Sequence, residues 1–500
     1  MADFDSRLID LFRGEINYLR HAGQEFSRKY PRIASRLEIS GQESPDPQVE
    51  RLLESFAFLT ARIQARIEDQ SSLIPAALLQ QTYPFLSEPT PPMSTVRFNS
   101  TEENPVAPSG HFIPKGTHLF AKTSEGDFCR FLTSYDVDLR PIEVVSAAME
   151  PAASYTYFDT SRVASVLKVV LKGQGVVLSD IPIDQLRLYL SGDPKLVADL
   201  HEVLISNVVT TVFVGEDPNQ PTYIGHSIVK EVGFGDEDAV LPEREESLSA
   251  YRLLSEYFSF PEKFFYVDFT EIDKRPLAGE LTILLGLSGT PSKNMVVSSN
   301  NFCTGCAPII NLFPKTLEPI RLNHLKEQYL LEPEVGGLAD YEVHSIKKVT
   351  ASSPAIKAMR TLEPYFGHRH IAGSEVPTEF WFTKRSSITS DIVGSQMHIS
   401  FVDTSFEPRR PAGETVTVQA LCSNRNLVEQ LPVGAVLQGD EDFGAIATIF
   451  TKPSPTVYGP VDGETLWRLV SQLNLNSFSF SNDASSAVSY THLRAHETRY

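Results

Sequence analysis

Residues 46–69, DPQVERLLESFAFLTARIQARIED, decide how the rest of the chain is read. Asp46 is a helix N-cap, and Pro47 suits the first helical position, where a missing N–H costs nothing. At about 100° per residue, Val49, Leu52, Leu53, Phe56, Leu59, Ile63 and Ile67 gather on one stripe. Phe58, Ala61 and Ala65 fall roughly 140–200° away, a second strip with small residues on which another backbone can come close. Arg62 and Arg66 occupy the C-terminal half, the favourable end of the helix dipole. At ~1.5 Å per residue the rod is about 35 Å long. A helix apolar on two opposite sides needs two partners. Either it is the central helix of one large domain, or one of its faces meets another polypeptide; the pattern leaves both open.

On its N-terminal side, Phe4, Leu8, Phe12, Ile16, Leu19 and Phe26 recur at helical intervals, in an amphipathic helix that Pro31 ends at the latest. Arg28, Arg32 and Arg36 form a basic strip that reads as solvated. On its C-terminal side, residues 72–83 predict a shorter helix with Leu73, Ala77 and Leu78 inward, stopped by Pro84. Pro84, Pro89, Pro91 and Pro92 then mark a change of architecture. From Met93 the pattern turns to short alternating strands: 94–100, 117–121, 128–133, 163–171 and 186–190. Strand 186–190 runs into a helix capped by Asp193 and opened by Pro194, with Leu196, Leu200, Val203 and Leu204 inward. With strand 208–214 this makes a βαβ-like unit. Residues 251–268 crowd aromatics around Pro261 as a helix end docking into a strand. Further strands are read at 281–287, 343–349, 380–383 and 397–402, and a last helix at 464–475 places Leu466, Leu469, Val470 and Leu473 on one face. The expected class is α+β and multidomain: a helical region at 1–90, a β-rich domain at 91–250, a second at 251–455, a helical segment at 456–484, and an atypical tail at 485–500.

The chain has 500 residues, a length that suggests roughly three domains. Its 41% apolar and 21% charged content are ordinary for a globular protein. A net charge of −19 argues against a nucleic-acid-binding role and against peripheral binding to anionic lipid. No apolar run approaches the ~20 residues of a membrane span, the acidic start lacks the apolar core of a signal peptide, and four cysteines give no disulfide framework. A cytosolic protein fits these features.

The search for chemistry is negative. There is no GxxxxGK[ST] loop, no GxGxxG after a strand and no HExxH, so no cofactor motif is present. Gly225-His226-Ser227 departs from a nucleophile elbow because Val229 stands where glycine is required, and Ser227 reads as a strand-start serine. Asp236, Glu237, Asp238 and Glu243 lack EF-hand spacing and read as a solvated loop. Cys303-Thr304-Gly305-Cys306 is a lone C-x-x-C with structural, metal and redox readings. A second ligand pair is missing, since His368 and His370 have neither finger nor ribbon spacing, and Pro308 and Asn311 suggest an irregular loop.

Several blocks in one order carry a resemblance. Tyr18-Leu19-Arg20, Phe26, Tyr30-Pro31 and Ile33-Ala34 precede Asp46-Pro47 and the run from Glu50 to Arg62. Glu256-Tyr257-Phe258 with Phe260-Pro261-Glu262-Lys263-Phe264 follows, then Cys306-Ala307-Pro308 with Asn311-Leu312-Phe313, Asn424-Arg425, and Leu466-Trp467-Arg468-Leu469 leading to Leu473-Asn474-Leu475-Asn476. This succession, over about residues 8–480, resembles the TssF family (ImpG, VasA), a baseplate subunit of the bacterial type VI secretion system. Ile113-Pro114-Lys115-Gly116-Thr117 followed by Phe131-Leu132-Thr133 is similar to a strand-turn pattern of contractile phage baseplate wedges. The resemblance implies structural work and no catalysis. It implies two copies joined to one TssG in a wedge, TssK adaptors that link the wedge to the inner-membrane complex, and contacts with the sheath initiator TssE around a VgrG hub. The family's N-terminal helices join the wedge subunits, which makes Leu52, Phe56, Phe58, Leu59 and Ile63 the candidates for a core or subunit contact. The alternatives are a wedge protein of another phage-tail-like contractile particle and an enzyme with an unseen site. Residues 485–500 (SSAVSYTHLRAHETRY) match nothing expected of the family and are expected to be a truncated or out-of-frame end, with a C-terminal subdomain missing.

Overall fold

A computed structural model describes residues 2–36, 46–100, 105–123, 126–242, 249–276, 278–290, 295–322, 326–333, 340–353, 356–366, 379–388, 393–403, 414–440 and 444–479. Its helices are α1 (Ala2–Lys29), α2 (Pro31–Arg36), α3 (Pro47–Ser71), α4 (Leu73–Thr82), α5 (Pro84–Ser87), α6 (Pro194–Glu202), α7 (Ser249–Ser259) and α8 (Gly463–Ser479). Five of them precede Met93 and strands dominate thereafter, an α+β architecture as the sequence implies. α1 stops at Lys29, two residues before Pro31, whose ring and missing N–H cannot continue the ladder. The Asp46 carboxylate caps α3 by accepting from Gln48 N at 2.8 Å. In α4 the buried residues are Pro75, Ala77 and Leu79; Leu78, expected inward, is exposed. Apolar residues occupy most of that short helix, so periodicity did not discriminate its faces.

Six strands close into a barrel in the order Met93–Asn99, Cys306–Ile310, Phe128–Thr133, His118–Lys122, Val436–Gly439 and Ile446–Ile449. The first strand is central to closure: Val96 faces Ala307 on one side and Ile449 on the other. Val96, Phe98, Leu119, Phe131, Ile309 and Ile449 are buried in one cluster that also takes in Phe85 of α5. Two further bodies are inserted into this barrel. The first pairs a five-stranded sheet (Thr222–Ile224, Val208–Val214, Glu280–Leu287, Ser165–Gly173, Ile142–Pro151) with a four-stranded one (Val229–Glu231, Tyr266–Phe269, Leu186–Leu190, Phe302–Cys303). The second is an eight-stranded sheet between Phe313 and Ser423. Strand pairing therefore runs across the 250/251 boundary expected from sequence: Ser165–Gly173 pairs along its length with Glu280–Leu287, and Met93–Asn99 with Cys306–Ile310.

The βαβ-like reading is corrected. Leu186–Leu190 belongs to the four-stranded sheet and Val208–Val214 to the five-stranded one, so α6 does not connect neighbours of one parallel sheet. Asp193 does cap the helix, accepting from Lys195 N at 3.0 Å. Val197, Leu200, Val203 and Leu204 are buried in a core shared by both sheets, and a π turn at Val203–Asn207 redirects the chain into the facing sheet. The four-stranded sheet is covered on both sides. Leu188, Leu190, Val267 and Phe269 face the sandwich core, while Tyr189 and Tyr266 face the barrel.

Buried polar knots join the parts. Asn424 N donates to Asn311 Oδ1 at 2.7 Å and Asn311 Nδ2 donates to Asn424 Oδ1 at 2.9 Å and to Arg130 O, so the pair ties barrel strands to the eight-stranded sheet. Arg425, in the left-handed region at φ 54°, is fully buried. Its guanidinium donates to Tyr341 O at 3.1 Å, Ser395 O at 3.1 Å and the buried Glu342 carboxylate at 3.3 Å. Burial of a charge on this scale is tolerated because each guanidinium nitrogen meets an acceptor.

Candidate docking face

α1 and α3 pack as a helical pair, with α2 on α1, and these helices pack principally on one another until the last turns of α3 meet α4 and α8. The seam follows the small-residue strip. Ala57, Ala61 and Ala65 are 0%, 0% and 3% exposed, and Ile16 of α1 is buried with them. Alanines let the two helix axes approach closely, as ridge-and-groove packing requires. Phe58 lies at the edge of this seam, edge-on to Phe12 with ring centroids 6.4 Å apart. Arg20 and Glu50 form a part-buried ion pair across it.

The opposite face of α3 is exposed. Leu52 is 71% exposed, Phe56 61%, Leu59 55%, Ile63 60% and Ile67 58%. Of the sequence candidates, the structure brings Leu52, Phe56, Leu59 and Ile63 together on this outer stripe and places Phe58 beside α1. Large apolar side chains aligned over four turns are not the scattered single exposures normal for a surface. Full burial of each against a partner is worth about 1.5–3 kcal/mol before the costs of association. Arg51 and Arg62 stand among the exposed residues of α3.

A second apolar place was not singled out from sequence. Leu254 and Phe258 of α7, Phe85 and Leu86 of α5, and Leu469 of α8 border a groove of about 600 Å³. Phe258 is the most exposed large apolar residue of the chain's described part, at 80%. The density of aromatics in 251–268 was the available signal, but the reading of a helix end docking into a strand did not separate the buried Phe260, Phe264 and Tyr266 from the exposed Phe258.

The residues with chemical potential are engaged structurally. Cys303 and Cys306 are both buried, in a tight Thr304-Gly305 connection between a strand of the four-stranded sheet and a strand of the barrel rather than in an irregular loop. Burial pushes the Cys303 thiol up and holds Cys306 well above its ordinary range, the reverse of an activated thiolate. Ser227 Oγ accepts from Val229 N at 3.1 Å at the start of a strand. The acidic run is tied down rather than merely solvated: Asp236 pairs with Arg252 at 2.9 Å, Asp238 accepts from Gly233 N, and Lys115 donates to the carbonyls of Glu237 and Ala239. Behind it, the buried Glu256 accepts from Val240 N and Leu241 N and from the buried Lys263 ammonium, whose pKa burial lowers against the pull of Glu256. Glu243, His368, His370 and residues 485–500 lie outside the described residues. Among the described residues no group of three or more His, Cys, Asp or Glu is placed to hold a metal ion, and no helix is long and apolar enough to cross a membrane.

Comparison with known proteins gives one answer. The family model described as "Type VI secretion system, TssF" matches residues 4–499. The curated "Type VI secretion system component TssF1" of Pseudomonas aeruginosa PAO1 is 30% identical over 97% of this chain and 83% of its own length. Among solved structures, a chain of the cryo-electron microscopy structure of the type VI secretion system TssK-TssF-TssG baseplate subcomplex superposes with a TM-score of 0.67 at 22% identity, covering 86% of this chain and 78% of that one. A chain of the baseplate complex from the type VI secretion system does so with a TM-score of 0.52 at 22% identity, covering 93% and 80%.

Proposed function

The chain belongs to the TssF family of type VI secretion systems, and on that premise we propose that it is a structural subunit of the baseplate wedge, assembling with TssG and TssK into the platform on which tail tube and contractile sheath are built. No catalytic role is assigned to it. The helical region at 1–90 is the wedge-joining unit, and the outer stripe of α3 (Leu52, Phe56, Leu59, Ile63) is the surface that another subunit covers. A second copy of the chain, TssE and the VgrG hub are further partners of the assembled platform, which docks to the inner-membrane complex through its partners.

The observation that carries this reading is the asymmetry of α3: one face is closed by the chain's own α1 and the opposite face, with the larger side chains, is left in water. The test is co-purification of the full chain with TssG and TssK, comparing wild type with Phe56→Glu. A carboxylate driven into an apolar interface is not paired there, so recovery of the complex falls at least tenfold while the circular dichroism of the free subunit is unchanged. Wild-type recovery by a folded Phe56→Glu protein removes the stripe from the interface. Phe58→Glu is the contrasting variant, since its side chain lies on the α1 seam and its damage falls on the fold of the helical pair as well.

A further inference from the structure

The helical pair joins the body at its base. α3 ends at Ser71, α4 begins at Leu73, and Ser72 between them is buried. Residues 457–463 run along this junction. Thr90 N donates to Val457 O at 2.7 Å and Val457 N to Thr90 O at 3.2 Å, an isolated bridge that pins the start of the segment. A Cβ on Gly459 would lie 3.0 Å from Leu86 O and 3.1 Å from Ser87 O; one on Gly463 would run into the Ser71 Oγ and lie 3.0 Å from the Ser71 carbonyl carbon and 3.1 Å from Ser72 N. Both glycines therefore let backbone touch backbone where a side chain would wedge the two apart. α8 starts at Gly463 and buries Leu466 and Leu473 against Leu79 of α4. Arg66 of α3 also pairs with Glu327 of the body at 3.6 Å, a contact that is solvent-exposed and screened.

We propose that residues 457–463 are a positioning strap whose close-approach glycines, Gly459 and Gly463, set the direction in which the α1–α3 pair leaves the body, and hence where its apolar stripe is presented. The presentation part rests on the docking reading above; the geometric part does not. α3 has 25 residues, and Gly463 of the strap meets it at Ser71, in its last turn. Pushing that turn aside by half an ångström tilts the rod by about 5° and moves its far end by about 3 Å, because one turn rises 5.4 Å and the rod is about 37 Å long. A small local wedge becomes a large displacement at Leu52 and Phe56.

The experiment measures the distance between spin labels at Arg51→Cys on α3 and Glu202→Cys on α6 in the full chain. Both are exposed helical positions, and the four native cysteines are buried and stay unlabelled. Gly463→Ala shifts the mean distance by about 2–3 Å, and Gly459→Ala shifts or broadens it as well. If the close approach carried no weight, helix propensity would make alanine the better residue at the start of α8, with equal or higher thermal stability and no movement. Recovery of the complex with TssG and TssK falls several-fold in both variants. Distance distributions identical to wild type in both overturn the strap. Shifted distances with undiminished recovery overturn its presentation role, and Phe56→Glu shows separately whether the stripe is the docking surface at all.

Discussion

In the barrel, Val96, Phe98 and Ile449 are sealed from water; on α3, Leu52, Phe56 and Ile63 are more than half exposed, although both sets are branched aliphatic and phenyl side chains. The body closes on itself by pairing strands more than three hundred residues apart and by tying their ends with buried polar groups. The helical pair closes only its alanine seam. The difference separates two uses of apolar surface. The body's is consumed in folding, so changes there register as lost stability. The outer stripe's is held back for association, so changes there register as lost binding.

The largest expected effect lies in the body. Arg425→Met removes one of the two guanidiniums on the buried Glu342 (Arg385, at 3.5 Å, is the other) and takes from Ser395 O and Tyr341 O the donor that Arg425 supplies. A broken buried pair of this kind costs about 3–5 kcal/mol, read as a lower midpoint in urea unfolding with unchanged slope. Loss of under 1 kcal/mol would mean that the knot contributes little and that the contrast with the helical pair is overdrawn.

Next is the body's response to alkali. Burial pushes the thiols of Cys129 and Cys422 up to about 12 from an ordinary 9.0. Their folded pKa is raised, so the stability they contribute is present below pH 9 and is lost as pH rises toward 12, while the unfolded chain ionises and the folded one does not. Each pH unit in that window removes about 1.4 kcal/mol per fully shifted thiol. Urea midpoints at pH 7.5, 9 and 10 therefore fall, and Cys129→Ala flattens part of the slope. An identical slope in that variant would assign the pH dependence to other groups.

Third comes the seam. Ala61→Leu inserts a branched side chain at a fully buried position of the seam, with a cost of about 1–3 kcal/mol from overpacking. Its signature is early loss of helical signal in thermal unfolding, with the body's transition in place. A single transition shifted as a whole would show that the helical pair and the body unfold as one unit.

What the sequence made legible follows from range. The two faces of α3 were readable because a helix writes its contacts at three- and four-residue spacing, and the Asp46 cap and Pro47 fixed where that spacing starts. The strands of the barrel were readable one by one, but not as a barrel, because nothing local in 93–99 records that 306–310 and 446–449 flank it. The same limit misread α6. Asp193, Pro194, Leu200 and Leu204 look alike whether the next strand joins the same sheet or the facing one. The acids at 236–238 read as solvated because their partners, Lys115 and Arg252, come from other parts of the chain. Sequence offered Phe58 and Phe56 as equal candidates, and only the packing of Phe12 on Phe58 separates them.

The smallest expected effect on stability tests that separation most sharply. Ile63 is 60% exposed, and Gln64 and Arg62 beside it are exposed as well. Ile63→Glu removes no packing from the seam and adds a carboxylate that water solvates. Substitutions at such sites usually stay within about 0.5 kcal/mol, and Glu is the better helix former, so the unfolding midpoint should not fall. Recovery with TssG and TssK should nevertheless drop at least tenfold, because the same carboxylate loses its water when the stripe is covered. A variant that destabilises the free subunit would place Ile63 in the helical pair's own core. One that leaves both stability and recovery untouched would place the contact on another part of α3, toward Leu52 and Phe56, and narrow the stripe to its N-terminal half.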